Sequence, residues 1–256
     1  MTVDKYTVDF LVSAARLVPQ TGWIFTGFNW PILAVRTARR LGHSPVELFE
    51  SGQAVATMTK QIPSSTTDFH ELTASAVWAG TTADTFALVS RARCAMLDAA
   101  DTDLAGRVNT FGSGPVDQPT FRSAGGGGSA DAAARASTLI LLHGGSDVTR
   151  LSTPVEHVTA TPGPTTSVLL VTRWGVAHLG AERRIVEISN HPDAAAFIEI
   201  VASGAELPTE PSKRTITTPA EHEAAVTVLH EAARRGYRSA AKALGQPPRS
   251  LGETHD

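Results

Sequence analysis

The chain has 256 residues, enough for one large α/β domain or two small ones and for a sizeable hydrophobic core. Its formal net charge is −3 and no basic block occurs, so the sequence offers nucleic acids and anionic membranes no electrostatic binding surface. The single cysteine, Cys94, excludes an internal disulfide and a metal site made of several cysteines, and its apolar surroundings predict a buried thiol.

The N-terminal segment lacks the charged-then-apolar pattern of a signal peptide. No apolar run reaches the length of a membrane-spanning helix. These features predict a soluble, cytoplasmic protein that acts without a membrane or a nucleic acid.

The N-terminal part alternates between helical and strand-like patterns. An apolar stripe over residues 8–18 predicts a helix that Pro19 ends. Residues 23–26 form a short apolar run that breaks at Gly27, and residues 46–49, which follow Pro45, are predicted to form a second strand. We therefore expect two strands with a helix between them.

Local signals place the ends of that intervening helix. Asn29 can cap it, and Pro31 lies in the first turn, where a missing N–H costs nothing. Gly42 supplies the C-terminal stop. One face carries the apolar residues Ala34, Ala38 and Leu41, and the opposite face carries Arg36, Arg39 and Arg40.

The second strand ends in Glu50-Ser51-Gly52, and Gly27 ends its neighbour. Ligands bind outside the carboxyl ends of the strands in open α/β sheets, so Glu50 stands where a reacting group is expected. It is either a solvated carboxylate at a strand end or a nucleophile or general base. A nucleophilic carboxylate forms a covalent acyl intermediate and needs a desolvated position with nearby N–H donors.

Residues 53–82 read as a long irregular segment rich in Ser, Thr and Gly, and a loop this long in a compact domain is often a binding loop. Residues 85–89 and 94–97 are short apolar runs, the second ending in Asp98.

Residues 125–128 are four consecutive glycines that run into an alanine-rich helical segment. They are either a flexible linker or a turn that presents backbone N–H groups to an anion or oxyanion. A dinucleotide-binding fingerprint would need a strand directly before the glycines, and none is convincing there.

The second half continues the alternation, with predicted strands at 138–142, 167–172 and 184–189 and a short helix opened by residues 191–193. Buried strands that alternate with helices, with glycine turns at strand ends, predict an α/β fold: an open, mostly parallel, doubly wound sheet flanked by helices.

Residues 1–205 are predicted to form this α/β domain, and residues 206–256 a connector and a C-terminal helix that packs on the domain or on a partner. Thr218 and Glu221 form a capping box with proline at the first helical position. An apolar stripe over 226–244 predicts one continuous helix.

No metal site is predicted. His70 near Asp68, and His157 beside Glu156, lack a convincing metal-ligand spacing and read as surface or core histidines. No G-x-S-x-G elbow and no P-loop is present.

The order of these motifs resembles the β subunit of the class I coenzyme A transferases, closest to the glutaconate CoA-transferase type, over about residues 6–205. In LDAADTDLAGRVNTFGSG, Asp103, Gly106 and Asn109 are in step with that family's Q-V-D-x-x-G-N-x-N stretch. GGGGSAD (125–131) is similar to its G-x-G-G-x-x-D segment, and the sequence HPD is similar to its HPG turn. Order and spacing together carry the resemblance.

The resemblance implies that Glu50 is the catalytic nucleophile and that CoA passes between an acyl-CoA and a carboxylic acid through a glutamyl-CoA thioester. Coenzyme A and acyl-CoA are then substrates, and no tightly bound cofactor is expected. A separate α subunit is implied, in an assembly of two α and two β subunits or larger. The implied oxyanion and substrate-binding residues are Gly27, Phe28, Asn29, Ser51, Gly52, Asn109, Gly126, Gly127 and Gly128.

Several positions depart from the family pattern and bear on the acyl substrate. Arg107 stands where asparagine is usual, Phe28 and Asn29 replace Ile-Gly, and Trp174 and Ala177 replace Leu and Phe. Two alternatives remain: an acyl-CoA hydrolase, lyase or decarboxylase that uses Glu50 as a base, and a non-catalytic binding subunit.

Overall fold

The apolar runs of the sequence form the middle of one mixed sheet. The computed structural model describes residues 3–122, 125–180, 183–203 and 213–247. Ten strands of this described part form the sheet, in the order β14-β13-β12-β11-β10-β5-β1-β2-β3-β4. The strands are β1 (Thr21–Thr26), β2 (Ser44–Leu48), β3 (Gln53–Val55), β4 (Ala76–Ala79), β5 (Cys94–Asp98), β6 (Asp101–Thr102), β7 (Val108–Asn109), β8 (Gly112–Ser113), β9 (Phe121–Arg122), β10 (Thr138–His143), β11 (Ser167–Thr172), β12 (Gly175–Leu179), β13 (Arg184–Ile188) and β14 (Lys213–Arg214).

Helices cover both faces of this sheet, and β6–β7 and β8–β9 form two small ribbons beside it. The helices are α1 (Lys5–Arg16), α2 (Trp30–Arg40), α3 (Phe69–Ala74), α4 (Thr82–Val89), α5 (Ser129–Arg135), α6 (Ala194–Ala202), α7 (Pro219–Arg234) and α8 (Arg238–Ala243), with a 3₁₀ turn over Val148–Ser152.

The five central strands, β11, β10, β5, β1 and β2, run parallel to one another. Helix α2 connects β1 to β2, and α5 lies between β5 and β10 along the chain. β1 pairs with β2 on one side and with β5 on the other, so the direction of winding reverses at β1. The predicted open, doubly wound α/β sheet is confirmed.

Antiparallel strands flank the parallel centre on both sides, and the edge strand β14 pairs parallel with β13. β11, β12 and β13 form an antiparallel meander, and β2, β3 and β4 form another. The expectation that a parallel βαβ rhythm continues through 167–189 is wrong, because Thr172 accepts the N–H groups of Trp174 and Gly175 in a tight turn. A turn this short allows only a hairpin.

Two hydrophobic clusters lie on the two faces of the sheet because successive side chains of a strand point to opposite faces. Ile24 belongs to one cluster and Phe25 to the other, and Leu142 and Leu141 divide in the same way. Each fully buried side chain of this kind stabilises the fold by about 2 kcal/mol. Cys94 is buried in the first cluster, as predicted.

Two of the three arginines on the basic face of α2, Arg36 and Arg39, are covered by ion pairs, and Arg40 is exposed. The Arg39 guanidinium lies 3.1 Å from the Glu47 carboxylate, and Arg36 lies 3.3 Å from Glu231 of α7. Arg36 also donates to the Thr59 carbonyl at 2.7 Å. These pairs join α2, the strand beside it and the C-terminal helix.

The C-terminal region packs on α1 and α2 of the same chain. The predicted capping box at Thr218 and Glu221 is present. The single helix predicted over 226–244 is wrong, because the chain breaks at Gly236, whose φ of 86° a helix cannot accommodate, and restarts as α8. Residues 204–212 lie outside the described residues, and the division of the chain at residue 205 stays a prediction.

The segment 53–82 is more regular than predicted, because it contributes β3, α3 and β4. The strands are short, and Ser, Thr and Gly around them weaken the pattern. In the part of the chain that the structure describes, no helix is long and apolar enough to cross a bilayer.

Replacement of Glu221 by Gln tests the anchoring of α7. Arg16 donates to both Glu221 oxygens at 2.8 and 2.9 Å, and this contact, with the capping bonds of Thr218, lowers the pKa of Glu221 to about 2. Because the pKa is depressed, the stabilisation is present above about pH 4.5 and is lost as the pH falls towards 2. Urea denaturation should give a loss of about 1–2 kcal/mol at neutral pH, after allowance for solvent screening, and a smaller loss in acid.

The matched control is Glu223→Gln, an exposed carboxylate on the same helix. This substitution should change the free energy of unfolding by less than about 0.5 kcal/mol at either pH. A Glu221→Gln loss that does not shrink in acid would contradict the assignment.

Candidate active site

A cavity of about 440 Å³ opens at the carboxyl ends of the central strands. It lies at the reversal of winding around β1, where open α/β sheets bind their ligands. Gly27 follows β1, Glu50 follows β2 and Asp98 ends β5, and all three line it. Its walls combine apolar side chains with a series of hydroxyls: Phe25, Phe28 and Leu97, and Ser65, Thr66, Thr67, Thr110 and Ser129.

A tight turn between β2 and β3 carries Glu50. Gly52 donates to the Phe49 carbonyl at 3.0 Å and has a φ of 94°. A Cβ on Gly52 would lie 2.2 Å from the Gly80 carbonyl oxygen, so only glycine fits there. Ser51 donates to the Gln53 side chain. Ser51 and Gly52 therefore shape the turn, and Glu50 is its member that reaches the cavity.

Both oxygens of the half-buried Glu50 carboxylate are held by hydrogen-bond donors. The Thr66 hydroxyl donates to Oε1 at 2.6 Å, and the backbone N–H of Gly128 donates to Oε2 at 2.6 Å. One donor comes from the 53–82 segment and the other from the glycine run, 78 residues away. The carboxylate is thus fixed in orientation at the edge of the cavity.

The glycine run supports Glu50 and is not a linker. A Cβ on Gly127 would lie 2.1 Å from Glu50 Oε2, and a Cβ on Gly128 would lie 2.2 Å from the Phe86 ring. Gly127 also has a φ of 48°, which favours glycine. The absence of side chains lets the main chain approach the carboxylate and start α5 beside it.

Asp98 is a second carboxylate in the same cavity, and sequence reasoning did not select it. The Asn29 amide donates to Asp98 Oδ2 at 2.7 Å, and the Asn29 carbonyl oxygen accepts from the Ser239 hydroxyl at 2.6 Å. Asn29 occupies the N-cap position of α2, as predicted, but its side chain makes no capping bond. The side chain is used to hold Asp98 instead.

Asn29 has a φ of 64° and a ψ of −114°, and no other non-glycine residue that the structure describes has a positive φ. A backbone of this kind costs about 1–3 kcal/mol and persists only where its surroundings fix it. Burial raises the pKa of Asp98 to about 6, against the opposing effect of the Asn29 hydrogen bond.

The other predicted residues divide into those that face the cavity and those that build it. Gly27, Phe28, Asn109 and Gly126 line the cavity. The Gly27 N–H donates to the Met96 carbonyl at 2.9 Å, so it is engaged in the sheet. The Phe28 ring packs against Tyr237 with centroids 5.4 Å apart and is 44% exposed.

The buried Asn109 amide has all of its hydrogen-bonding capacity in use. It donates to Asp101 at 3.0 Å and to the Gly112 carbonyl at 2.8 Å, and its oxygen accepts from the backbone N–H groups of Phe111 and Gly112. This geometry suits a residue that shapes the cavity wall. Its predicted part in substrate binding stays a prediction.

The residues that sequence reasoning missed, Asp98 and Thr66, carried different signals. Asp98 ends an apolar run and therefore a strand, as Glu50 does, which is a signal that could have found it. Thr66 reaches Glu50 only through the fold of the 53–82 segment, which no local pattern shows. No cluster of three or more His, Cys, Asp or Glu suited to a metal ion occurs in the described ranges.

No protein-family model and no curated protein sequence matches the chain. Solved structures do. The decarboxylase AibA/AibB has a TM-score of 0.68 at 22% identity, over 88% of this chain and 94% of that one. Glutaconate coenzyme A-transferase from Acidaminococcus fermentans has a TM-score of 0.65 at 17% identity, over 90% of this chain and 95% of that one.

The acyl-CoA transferase YdiF of Escherichia coli O157:H7, in a thioester complex with CoA, has a TM-score of 0.55 at 14% identity. The match covers 84% of this chain and 41% of the longer YdiF chain. At identities this low, the structural matches establish the fold alone. The fold is that of these CoA-transferases and of the decarboxylase.

Asp98→Asn tests the environment of the second carboxylate. Because its pKa is raised from 3.8 to about 6, ionisation of Asp98 opposes folding, and stability is lost as the pH rises from about 4 to 7. The neutral isostere escapes this loss. We expect Asp98→Asn to unfold with a free energy up to about 2 kcal/mol higher than the wild type at pH 8, and with an equal one near pH 4. Parallel denaturant titrations at the two pH values measure this, and an equal effect at both contradicts it.

Proposed function

We propose that the chain is the β subunit of a heteromeric class I CoA-transferase and that Glu50 carries CoA as a covalent glutamyl thioester. The observation that supports this most directly is the fixed Glu50 carboxylate, held by Thr66 and the Gly128 N–H at the edge of a cavity. A carboxylate attacks a thioester without a base, provided that it is oriented and that N–H or O–H donors stabilise the oxyanion that forms.

In the first step a Glu50 oxygen attacks the carbonyl carbon of the donor acyl-CoA. The carbon–sulfur bond breaks, leaving a mixed anhydride between the acyl group and Glu50, and CoA departs as the thiolate. In the second step the thiolate attacks Cδ of Glu50. The anhydride bond to the acyl group breaks, the donor acid leaves as a carboxylate, and Glu50 holds CoA as a thioester.

The donors around Glu50 suit the second step. During thiolate attack, negative charge develops on an oxygen bonded to Cδ. The Gly128 N–H and the Thr66 hydroxyl already point at the two oxygens of this carboxylate. One such preorganised donor is typically worth about 3 kcal/mol of the activation barrier.

An acceptor carboxylate then reverses both steps and leaves as its CoA thioester. The thioester bond energy is conserved without ATP, and the kinetics are ping-pong. The reaction calls on no metal or redox group, and coenzyme A is a substrate rather than a resident cofactor.

A separate α subunit is part of the proposal. This chain matches 41% of the YdiF chain. That share fits a chain that supplies one half of such an enzyme. The cavity lining contains no Lys, Arg or His among the described residues, so the phosphates of CoA need cationic groups from elsewhere. We propose an assembly of two α and two β subunits or larger, acting in the cytoplasm.

A second candidate is an acyl-CoA decarboxylase, hydrolase or lyase, in which Glu50 acts as a base. The likeness to a decarboxylase favours keeping it, as does the second carboxylate, Asp98, in the same cavity. This alternative forms no glutamyl-CoA and needs no acceptor acid. A non-catalytic subunit would leave the complex indifferent to substitution of Glu50.

Covalent trapping separates these candidates. The chain, co-expressed with the protein encoded beside it, is incubated with a panel of acyl-CoAs and treated with borohydride or hydroxylamine. We expect a CoA-dependent modification confined to the peptide that contains Glu50, because both reagents convert a glutamyl thioester to a stable product. Peptide mass spectrometry locates it.

Glu50→Gln is the control for trapping, since the amide keeps the size of the side chain but is not nucleophilic. Acyl-CoA consumption with an unmodified Glu50 would shift the assignment to hydrolysis or decarboxylation. Consumption that Glu50→Gln leaves unchanged would point to a non-catalytic subunit.

Gly127→Ala tests the main-chain support of Glu50. Its Cβ would overlap Glu50 Oε2, so the carboxylate must leave its donors. We expect Glu50 labelling to fall at least about 100-fold, the loss typical of one oxyanion donor. Gly42→Ala is the control, because Gly42 also has a positive φ, 93°, but has open space around it, and this variant should label normally. Equal losses in the two variants would contradict the proposed support.

A further inference from the structure

The ionisable lining of the cavity is entirely acidic. Glu50 and Asp98 line it, and the lining holds no Lys, Arg or His among the described residues. The remaining polar groups are hydroxyls and amides, beside the apolar walls formed by Phe25, Phe28 and Leu97. An anionic acyl chain would meet like charge here, and the described residues of this chain supply no compensating cation, which disfavours its binding.

The hydrogen bond that holds Asp98 in place requires a strained backbone conformation at Asn29. Asn29 adopts a strained backbone and leaves α2 without its side-chain cap, and its amide donates to Asp98 Oδ2. Ser239 donates to the Asn29 oxygen and thereby fixes which end of the amide faces Asp98. Strain of this kind concentrates at ligand-binding sites. The carboxylate accepts about four hydrogen bonds in total, so it retains capacity for a ligand donor.

We infer that Asp98 is a specificity-determining residue that accepts a hydrogen bond from a hydroxyl on the acyl chain and excludes acyl chains ending in a carboxylate. The inference rests on the proposed transferase function and names its substrate class: hydroxyacyl groups with one carboxyl, bound as the thioester. The apolar walls take the hydrocarbon part of such a chain, and Asp98 takes its donor.

A neutral hydroxyl suits this position because Asp98 then keeps its charge and gains a partner. A methyl group at the same place leaves the carboxylate short of a hydrogen bond, and sites built to bind a substrate hydroxyl reject the analogue that lacks it. A terminal carboxylate adds repulsion to that loss.

The test uses the complex of both subunits and compares kcat/KM for three probes: butyryl-CoA, the isomers of hydroxybutyryl-CoA, and glutaryl-CoA. For the wild type, the best hydroxybutyryl isomer should exceed butyryl-CoA by about tenfold or more and glutaryl-CoA by about 100-fold. Asp98→Asn keeps an acceptor oxygen and removes the charge, so discrimination against glutaryl-CoA should fall by about tenfold. Asp98→Leu should abolish the hydroxyl preference while butyryl-CoA is still used. Glu223→Gln, on the exposed side of α7, is the control and should leave all ratios unchanged.

Binding measured in a Glu50→Gln background keeps the inference testable without turnover. In that background Asp98 is the one acidic residue that remains in the described lining, and the Kd ratio of glutaryl-CoA to hydroxybutyryl-CoA should fall by about tenfold on Asp98→Asn. In the wild type, Glu50 adducts that form equally well from glutaryl-CoA and hydroxybutyryl-CoA would overturn the inference and leave the transferase proposal standing. No adduct with any probe, together with a Kd ratio that depends on Asp98, would overturn the transferase chemistry and keep the specificity role. A Kd ratio that ignores Asp98 overturns the inference in either case.

Discussion

The hydrogen bond from the Gly128 N–H to the Glu50 carboxylate joins the two segments on which the site depends. Its geometry requires that the turn after β2 and the glycine segment before α5 end at the same edge of the sheet. Parallel pairing of β1, β2, β5 and β10 meets this requirement, because it brings the carboxyl ends of those strands together. The strand order is thus the reason that the Glu50 carboxylate and its N–H donor meet across 78 residues of chain.

The core on each face of the sheet keeps these strand ends in register. On one face α1, α2 and α7 pack together, and Arg36 and Arg39 form buried ion pairs that hold α2 against β2 and α7. Breaking such a pair leaves a buried charge without a partner, which costs more than the intact pair contributes. The site therefore rests on elements with little freedom to shift, as a carboxylate that must stay oriented requires.

Central strands such as Thr138–His143 could be predicted because their apolar residues are continuous and buried on both faces of the sheet. Glu50 could be singled out because it follows a predicted strand at a glycine turn.

The edge strands β3 and β4 could not be predicted, since strands of three or four residues carry too few alternations to define a period. The break at Gly236 was hidden because the apolar stripe continues through it, in register, into α8. The contacts of the Asn29 side chain could not be predicted from the sequence either. Asparagine at this position usually caps the helix, and only tertiary contacts with Asp98 and Ser239 override that role.

The contact between Ser239 and Asn29 has a consequence for the order in which the site is completed during synthesis. The ribosome releases β1, β2 and β5 early, and folding begins from the N-terminal side as the chain emerges. Ser239 emerges 210 residues after Asn29, so the strained Asn29 conformation lacks this contact until α8 has been synthesised. A nascent chain can therefore pair β1, β2 and β5 long before Asn29 gains its contact with Ser239. Completion of the cavity therefore depends on the docking of α8, and it follows the formation of the strands that carry the site.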